Sequence, residues 1–168
     1  MLFRVLVEGP DDLHLVKNLA REHGIDLVER QSINECGGVS RLLEEVLPLT
    51  LRGSYGALAI IVDADENVAS RWQSVQDRLT AEGYDVPTTP QSGGIIVVRD
   101  RPPVVGVWVM PDNTLPGALE AFAERLIPQN DEVWPMAQAA VARIPVASRR
   151  FTSAHTRKAE IHTYLAWQ

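Results

Sequence analysis

The seven residues Ala57–Asp63, ALAIIVD, constrain the fold more tightly than any other stretch of the chain. The first six are apolar without the polar alternation of a half-solvated strand, so both faces demand cover. That is the pattern of a parallel strand with helices on each side of its sheet. The run ends in DADEN, which crowds Asp63, Asp65 and Glu66 at the carboxyl end of the strand. A cluster of like charges at that position needs a reason.

The neighbouring segments extend the same architecture. LFRVLVEG reads as a strand ending in glycine, and PDDLHLVKNLAREHG reads as a helix with Leu13, Val16, Leu19 and Ala20 at helical spacing. Pro10 suits the first turn, Asp11 and Asp12 complement the helix dipole, and Gly24 supplies the stop. A second strand is expected over residues 27–34, then a helix over residues 39–51 after Gly37 and Gly38. Residues 68–82 form an amphipathic helix with Trp72, Val75 and Leu79 on one side. IIVVRDRPPVVGVWVM predicts two strands around an Arg-Pro-Pro turn, pairing as a hairpin at one edge of the sheet. LPGALEAFAERLIP, DEVWPMAQAAVARI and SAHTRKAEIHTYLAWQ predict three further helices, the second tolerating Pro135 near its start. The expected fold is therefore α/β, with a mainly parallel, Rossmann-like sheet, helices on both faces and an edge hairpin. At 168 residues with no repeat or linker, one domain spanning 1–168 is expected.

Composition narrows the function classes. No apolar run approaches the ~20 residues of a membrane helix, and MLFRVLVEGPDD lacks the features of a signal peptide. A cytoplasmic protein without membrane contact is the expectation. The lone Cys36 forms no internal disulfide and reads as a small packed residue. A formal charge of -6 argues against a large basic nucleic-acid footprint. Contact with nucleic acid would be local, metal-assisted or shared with a partner.

In open α/β sheets, ligand sites form beyond the carboxyl ends of the strands. Glu8 ends the first strand, and Asp63 with Asp65 ends the third. If these strands are neighbours, three carboxylates converge and repel unless a cation sits among them. Hard oxygen donors suit Mg²⁺, with Mn²⁺ as a substitute, and the chemistry such an ion supports is phosphoryl transfer or phosphodiester cleavage. Asp12, four residues after Glu8, either reaches the same ion or serves the helix terminus. Glu66 points away or supports the ion indirectly, and Asn67 is placed to cap the following helix. Asp112 and Asn113 follow a strand end in MPDN, a rim position with common turn composition. The four histidines lack the spacing of a zinc helix, and the four tryptophans read as core. The glycines of ECGGVS could present N–H groups to a phosphate, although no P-loop lysine follows.

LVEGPDD followed by IIVDADEN resembles the Toprim fold, whose motifs are a Glu-Gly at one strand end and Asp-x-Asp at another. Within it the chain is most similar to the DUF3226 group, allied with nucleases of the OLD (overcoming lysogenisation defect) type. GVWVMPDN, GALEAF and KAEIHTYLAWQ extend the resemblance over nearly the whole chain. It implies a Mg²⁺-dependent nuclease acting on DNA or RNA, in phage defence or repair. By the same resemblance Glu8 is a metal ligand or general acid/base, Asp12, Asp63 and Asp65 are metal ligands, and Lys158 stabilises charge on the phosphate. Glu120 would support the acidic site. OLD-type proteins couple this domain to an ATPase, and no Walker A motif is present, so an ATPase partner would be a separate chain. Two other functions compete: a non-catalytic module that binds metal or phosphate, and a small-molecule phosphotransferase or phosphatase using Asp63 as nucleophile beside Lys158.

Overall fold

The computed structural model describes residues 2–25, 27 and 32–168. Two compact units divide the chain, Met1–Leu119 and Glu120–Gln168.

The first unit is an α/β sheet with strands β1 (Phe3–Val7), β2 (Ile33–Glu35), β3 (Ala57–Asp63), β4 (Ile95–Val97) and β5 (Val104–Met110). Their order is β2-β1-β3-β5-β4, parallel throughout except for the antiparallel β4–β5 pair. The edge hairpin expected from the sequence is thus present. Of the strand expected over 27–34, residues 28–31 lie outside the described residues, and β2 itself is short.

Helices cover both faces because alternate side chains of each strand point to opposite sides. On one face, α1 (Pro10–Glu22) sends Leu13, Val16 and Ala20 against Phe3, Val5, Val7, Ala59 and Ile61. On the other, Leu58, Ile60 and Val62 of β3 and Val105, Val107 and Val109 of β5 meet Trp72, Val75 and Leu79 of α4 (Val68–Ala81). The second face is the dry one: β3 alternates fully buried and half-buried positions, so its continuous apolar sequence overstates the cover on the α1 side.

The helix expected over 39–51 is one run in three parts: α2 (Val39–Arg41), a π-helical segment Leu42–Val46, and α3 (Leu47–Leu51). Pro48 explains the widening. It has no N–H to donate four residues back, and its ring crowds the preceding turn. The run still buries Leu42, Leu43, Leu47 and Leu51 in the main core.

The second unit takes most of α5 (Leu119–Leu126), with α6 (Val133–Ala142) and α7 (Thr156–Ala166). Asp131 caps α6, its Oδ1 accepting from the N–H groups of Val133 and Trp134 at 2.9 and 2.8 Å, while Oδ2 accepts from the Tyr164 hydroxyl at 2.9 Å. These bonds, the one from Trp134 first, hold the Asp131 carboxyl below its ordinary range. Trp134 meets the Tyr164 ring edge-on at 5.7 Å. Pro135 falls in the first turn of α6, where its missing N–H has no intrahelical role.

The tryptophans divide instead of all entering a core. Trp72 is buried and donates to the Pro87 carbonyl at 3.0 Å, Trp108 and Trp134 are half-buried, and Trp167 is 48% exposed. Trp167 follows the last turn of α7, so helical spacing continued past the point where the helix provides a buried face.

Candidate functional site

The acidic rim is built by the parallel pairing of β1 with β3. Val7 lies opposite Ile61, so the chains leave the sheet side by side and Glu8 arrives beside Asp63. One Glu8 oxygen, Oε1, accepts from the Asp63 N–H at 2.8 Å. The Glu8 backbone is fixed as well, its carbonyl accepting from Gly38 N–H at 2.8 Å. Gly37 and Gly38 turn there with φ of 77° and 110°, a region other residues rarely enter. The Gly38 N–H is therefore committed to Glu8 and is not offered to a ligand.

Asp12 is buried at the start of α1, and its Oδ2 accepts from Gly9 N–H at 2.9 Å. That oxygen serves the helix terminus, one of the two roles its sequence position leaves open. Asp63 Oδ1 accepts from Leu119 N–H at 3.1 Å. Asp65, at φ 52°, forms a bridge with Gly117, its N–H donating at 2.8 Å and its carbonyl accepting at 2.7 Å. Its carboxylate meets Arg71 Nη2 at 2.5 Å, while Arg71 Nε donates to the Asp63 carbonyl at 2.6 Å. Glu66 is exposed, and Asn67 caps α4 by accepting from Ser70 N–H at 2.9 Å.

The electrostatics follow from this crowding. Burial pushes the Glu8 carboxyl above its ordinary range, Asp65 and Asp12 push it the same way, and the Asp63 N–H and Arg71 oppose them. Among the described residues no three Asp, Glu, His or Cys side chains form a group arranged to hold a metal ion. Several rim carboxylate oxygens face donors of the protein itself. The donor set is nonetheless all hard oxygen, the chemistry that suits Mg²⁺.

Sequence reasoning misses one residue of this site, Arg71, and places another, Asn113, differently from the structure. Arg71 stands one turn into α4, and its signal is a cation eight residues after Asp63 on the helix that begins at the rim. Asn113 was placed at the rim, but it is fully buried at φ 64°, exchanging two 2.7 Å bonds with Val109: its N–H donates to the Val109 carbonyl and its Oδ1 accepts from the Val109 N–H. Its Nδ2 has no hydrogen-bond partner among the described residues. Asp112 makes the turn, with Oδ1 accepting from Thr114 and Leu115 N–H and from the Thr114 hydroxyl. The remaining predicted residues lie in the second unit, where Lys158 Nζ stands 3.9 Å from a Glu120 carboxylate oxygen.

Fold and site together define a mainly parallel α/β protein with an acidic rim at the carboxyl ends of two adjacent strands. The chain belongs to the DUF3226 family: the family model described as "Protein of unknown function (DUF3226)" matches residues 3–168. No curated protein and no solved structure matches it. No helix among the described residues is long and apolar enough to cross a membrane.

Proposed function

We propose that this protein is a Mg²⁺-dependent phosphodiesterase of the Toprim type that cleaves DNA or RNA, with a separate ATPase chain as partner. The observation that supports it best is the β1–β3 adjacency, which brings Glu8 to within 2.8 Å of the Asp63 N–H and Asp65 to the same rim. Glu8, Asp12, Asp63 and Asp65 would hold the ion, and Mn²⁺ would substitute. When bound, the ion supplies Lewis-acid polarisation and a more acidic water. Glu8, raised by burial and by its acidic neighbours, is suited to hold or pass a proton at its second oxygen. Asp63 and Asp65 would exchange the Leu119 N–H and Arg71 for the ion, releasing a guanidinium beside the substrate phosphate.

One observation favours a second reading, a binding module without turnover. Arg71 already neutralises Asp65, so the rim is partly satisfied by the protein. Incubation with supercoiled plasmid, linear DNA and single-stranded RNA in Mg²⁺ or Mn²⁺ separates the two. Asp63→Asn is the control of choice, because it keeps an acceptor for Leu119 N–H while removing charge. Metal-dependent cutting lost in this variant is the result expected. Calorimetric Mg²⁺ binding without cutting, even with a candidate ATPase added, would favour the binding module, and cutting by the variant would remove the nuclease reading.

A further inference from the structure

A cavity of about 450 Å³ opens beside α1, away from the carboxylates of the rim, and is lined by His14, Lys17, Asn18, Arg21, Ile25 and Leu27. The four helical residues follow one another at i, i+3, i+4 and i+7, so they form a single stripe of α1. Leu13, Val16 and Ala20 turn instead into the apolar cluster against the sheet. No acidic residue is among the described residues lining the cavity. In a chain of net charge -6 this is an unusual place.

Among the other described residues, most cations have a partner, often a carboxylate. Arg41, Arg52, Arg71, Arg78, Arg99 and Arg157 each stand within 4.0 Å of a carboxylate oxygen. Among the described residues Lys17 and His14 make no ion pair or side-chain hydrogen bond, and Arg21 has only the Asn18 Oδ1 at 3.3 Å. Arg21 in the last turn is favoured by the helix dipole, but Lys17 is mid-helix, and like charges at i, i+4 destabilise a helix. The floor is apolar: Leu27 is buried and Ile25 is half exposed. Paired cations beside an open apolar surface, in a cavity of the size small ligands occupy, suit an anion carrying a flat apolar body.

We infer that this cavity binds a nucleotide phosphate, with Lys17 and Arg21 on the phosphate oxygens and Ile25 beneath the base. The nucleotide is either free or part of a strand. In the second case the cavity anchors nucleic acid, because Arg21 lies about 16 Å along the helix axis from Pro10 at the rim. The inference stands apart from the phosphodiesterase reading and is tested without cleavage.

The experiment is calorimetry in EDTA with AMP and, separately, with a decathymidylate strand, on the wild type, on Lys17→Gln/Arg21→Gln, on Ile25→Ser and on Asp63→Asn. Saturable binding is expected, weakened at least tenfold in the double variant, weakened in Ile25→Ser, and unchanged in Asp63→Asn. Binding of AMP assigns a free nucleotide, and binding of the strand alone assigns nucleic acid. No saturable binding of either probe overturns the inference. So does a loss of less than tenfold in the double variant, or an equal loss in Asp63→Asn, which would move the site to the rim. A protein that binds here but cleaves nothing would sink only the phosphodiesterase reading.

Discussion

Among the charged side chains of the first unit that are drawn out of water, Arg99 and Glu8 are treated in opposite ways. Arg99, between β4 and β5, has a side chain only 4% exposed. Its guanidinium donates to the carbonyls of Glu82 at 2.7 Å and Leu51 at 2.8 Å, reaches those of Arg101 and Pro102 at 3.3 Å, lies 3.9 Å from the Glu82 carboxylate and stacks 4.5 Å from the Tyr84 ring centroid. Its planar fork matches those acceptors, so the charge is satisfied where it sits. Glu8 has one N–H, a nearby guanidinium and two like charges, and its carboxyl is pushed up. The first arrangement ties a hairpin turn to the ends of α3 and α4. The second keeps a carboxylate under electrostatic stress, the condition expected of a group awaiting a ligand or a proton.

The comparison is broken most forcefully at Arg99. Arg99→Ala leaves the part-buried carbonyls of Glu82 and Leu51 without their donor, while the Glu82 carboxylate keeps Arg52 at 2.9 Å, and should cost about 2 kcal/mol in a denaturant titration. Arg99→Lys should recover only part of this, because an ammonium cannot reproduce the fork. A loss under ~1 kcal/mol in Arg99→Ala would show that surrounding water replaces the guanidinium.

The rim should respond differently. Arg71→Gln should change stability by no more than about 1 kcal/mol, since Asp65 is largely exposed. Its informative readout is calorimetric: Mg²⁺ should bind more tightly once the internal cation no longer occupies Asp65. Unchanged or weaker affinity would mean that Arg71 does not compete for the rim.

Glu8→Gln sharpens the contrast through pH. The folded-state pKa of Glu8 is raised, so its ionisation opposes folding, and the wild type loses stability as pH rises through the unfolded and then the folded value. In EDTA the variant should therefore melt higher than the wild type at pH 8, with the gap closing toward pH 4 where the wild-type carboxyl is protonated. A wild type that melts higher at pH 8 would contradict the burial account. The smallest effect belongs to Cys36, which is 1% exposed and whose thiol is pushed up to about 11, mainly by burial. Native protein at pH 8 should react with a thiol reagent far more slowly than denatured protein, and equal rates would place Cys36 in solvent.

Much of the rim was legible because it rests on local pattern. Glu8 follows a strand-length apolar run, and Asp63 and Asp65 end another. The adjacency of those strands was a condition, since no local signal states strand order, and pairing across 55 residues supplied it. Arg71 carries no local signal because a helical arginine usually faces solvent, whereas here its guanidinium reaches back to the Asp63 carbonyl and the Asp65 carboxylate. Arg99 stands two residues before the Arg101-Pro102-Pro103 turn, with no local sign of its role, and its carbonyl partners come from residues 17 and 48 positions away. Asn113 follows a strand end, which suggests a rim position or a turn, and the fold makes it a buried clamp on the end of β5.

By itself the sequence determined the parallel α/β class, the edge hairpin, where the helices lie though not the π-helical break in the run over 39–51, and the acidic residues at two strand ends. Periodicity, proline and glycine placement and apolar runs are local, and they act before the chain has a tertiary partner. The tertiary structure decided which strands are neighbours, that Arg71 neutralises Asp65, that Asp12 caps α1, and that Arg99 is buried and satisfied. Those outcomes depend on desolvation and on donors distant in sequence, so a charge acquires its role only when the fold fixes what faces it.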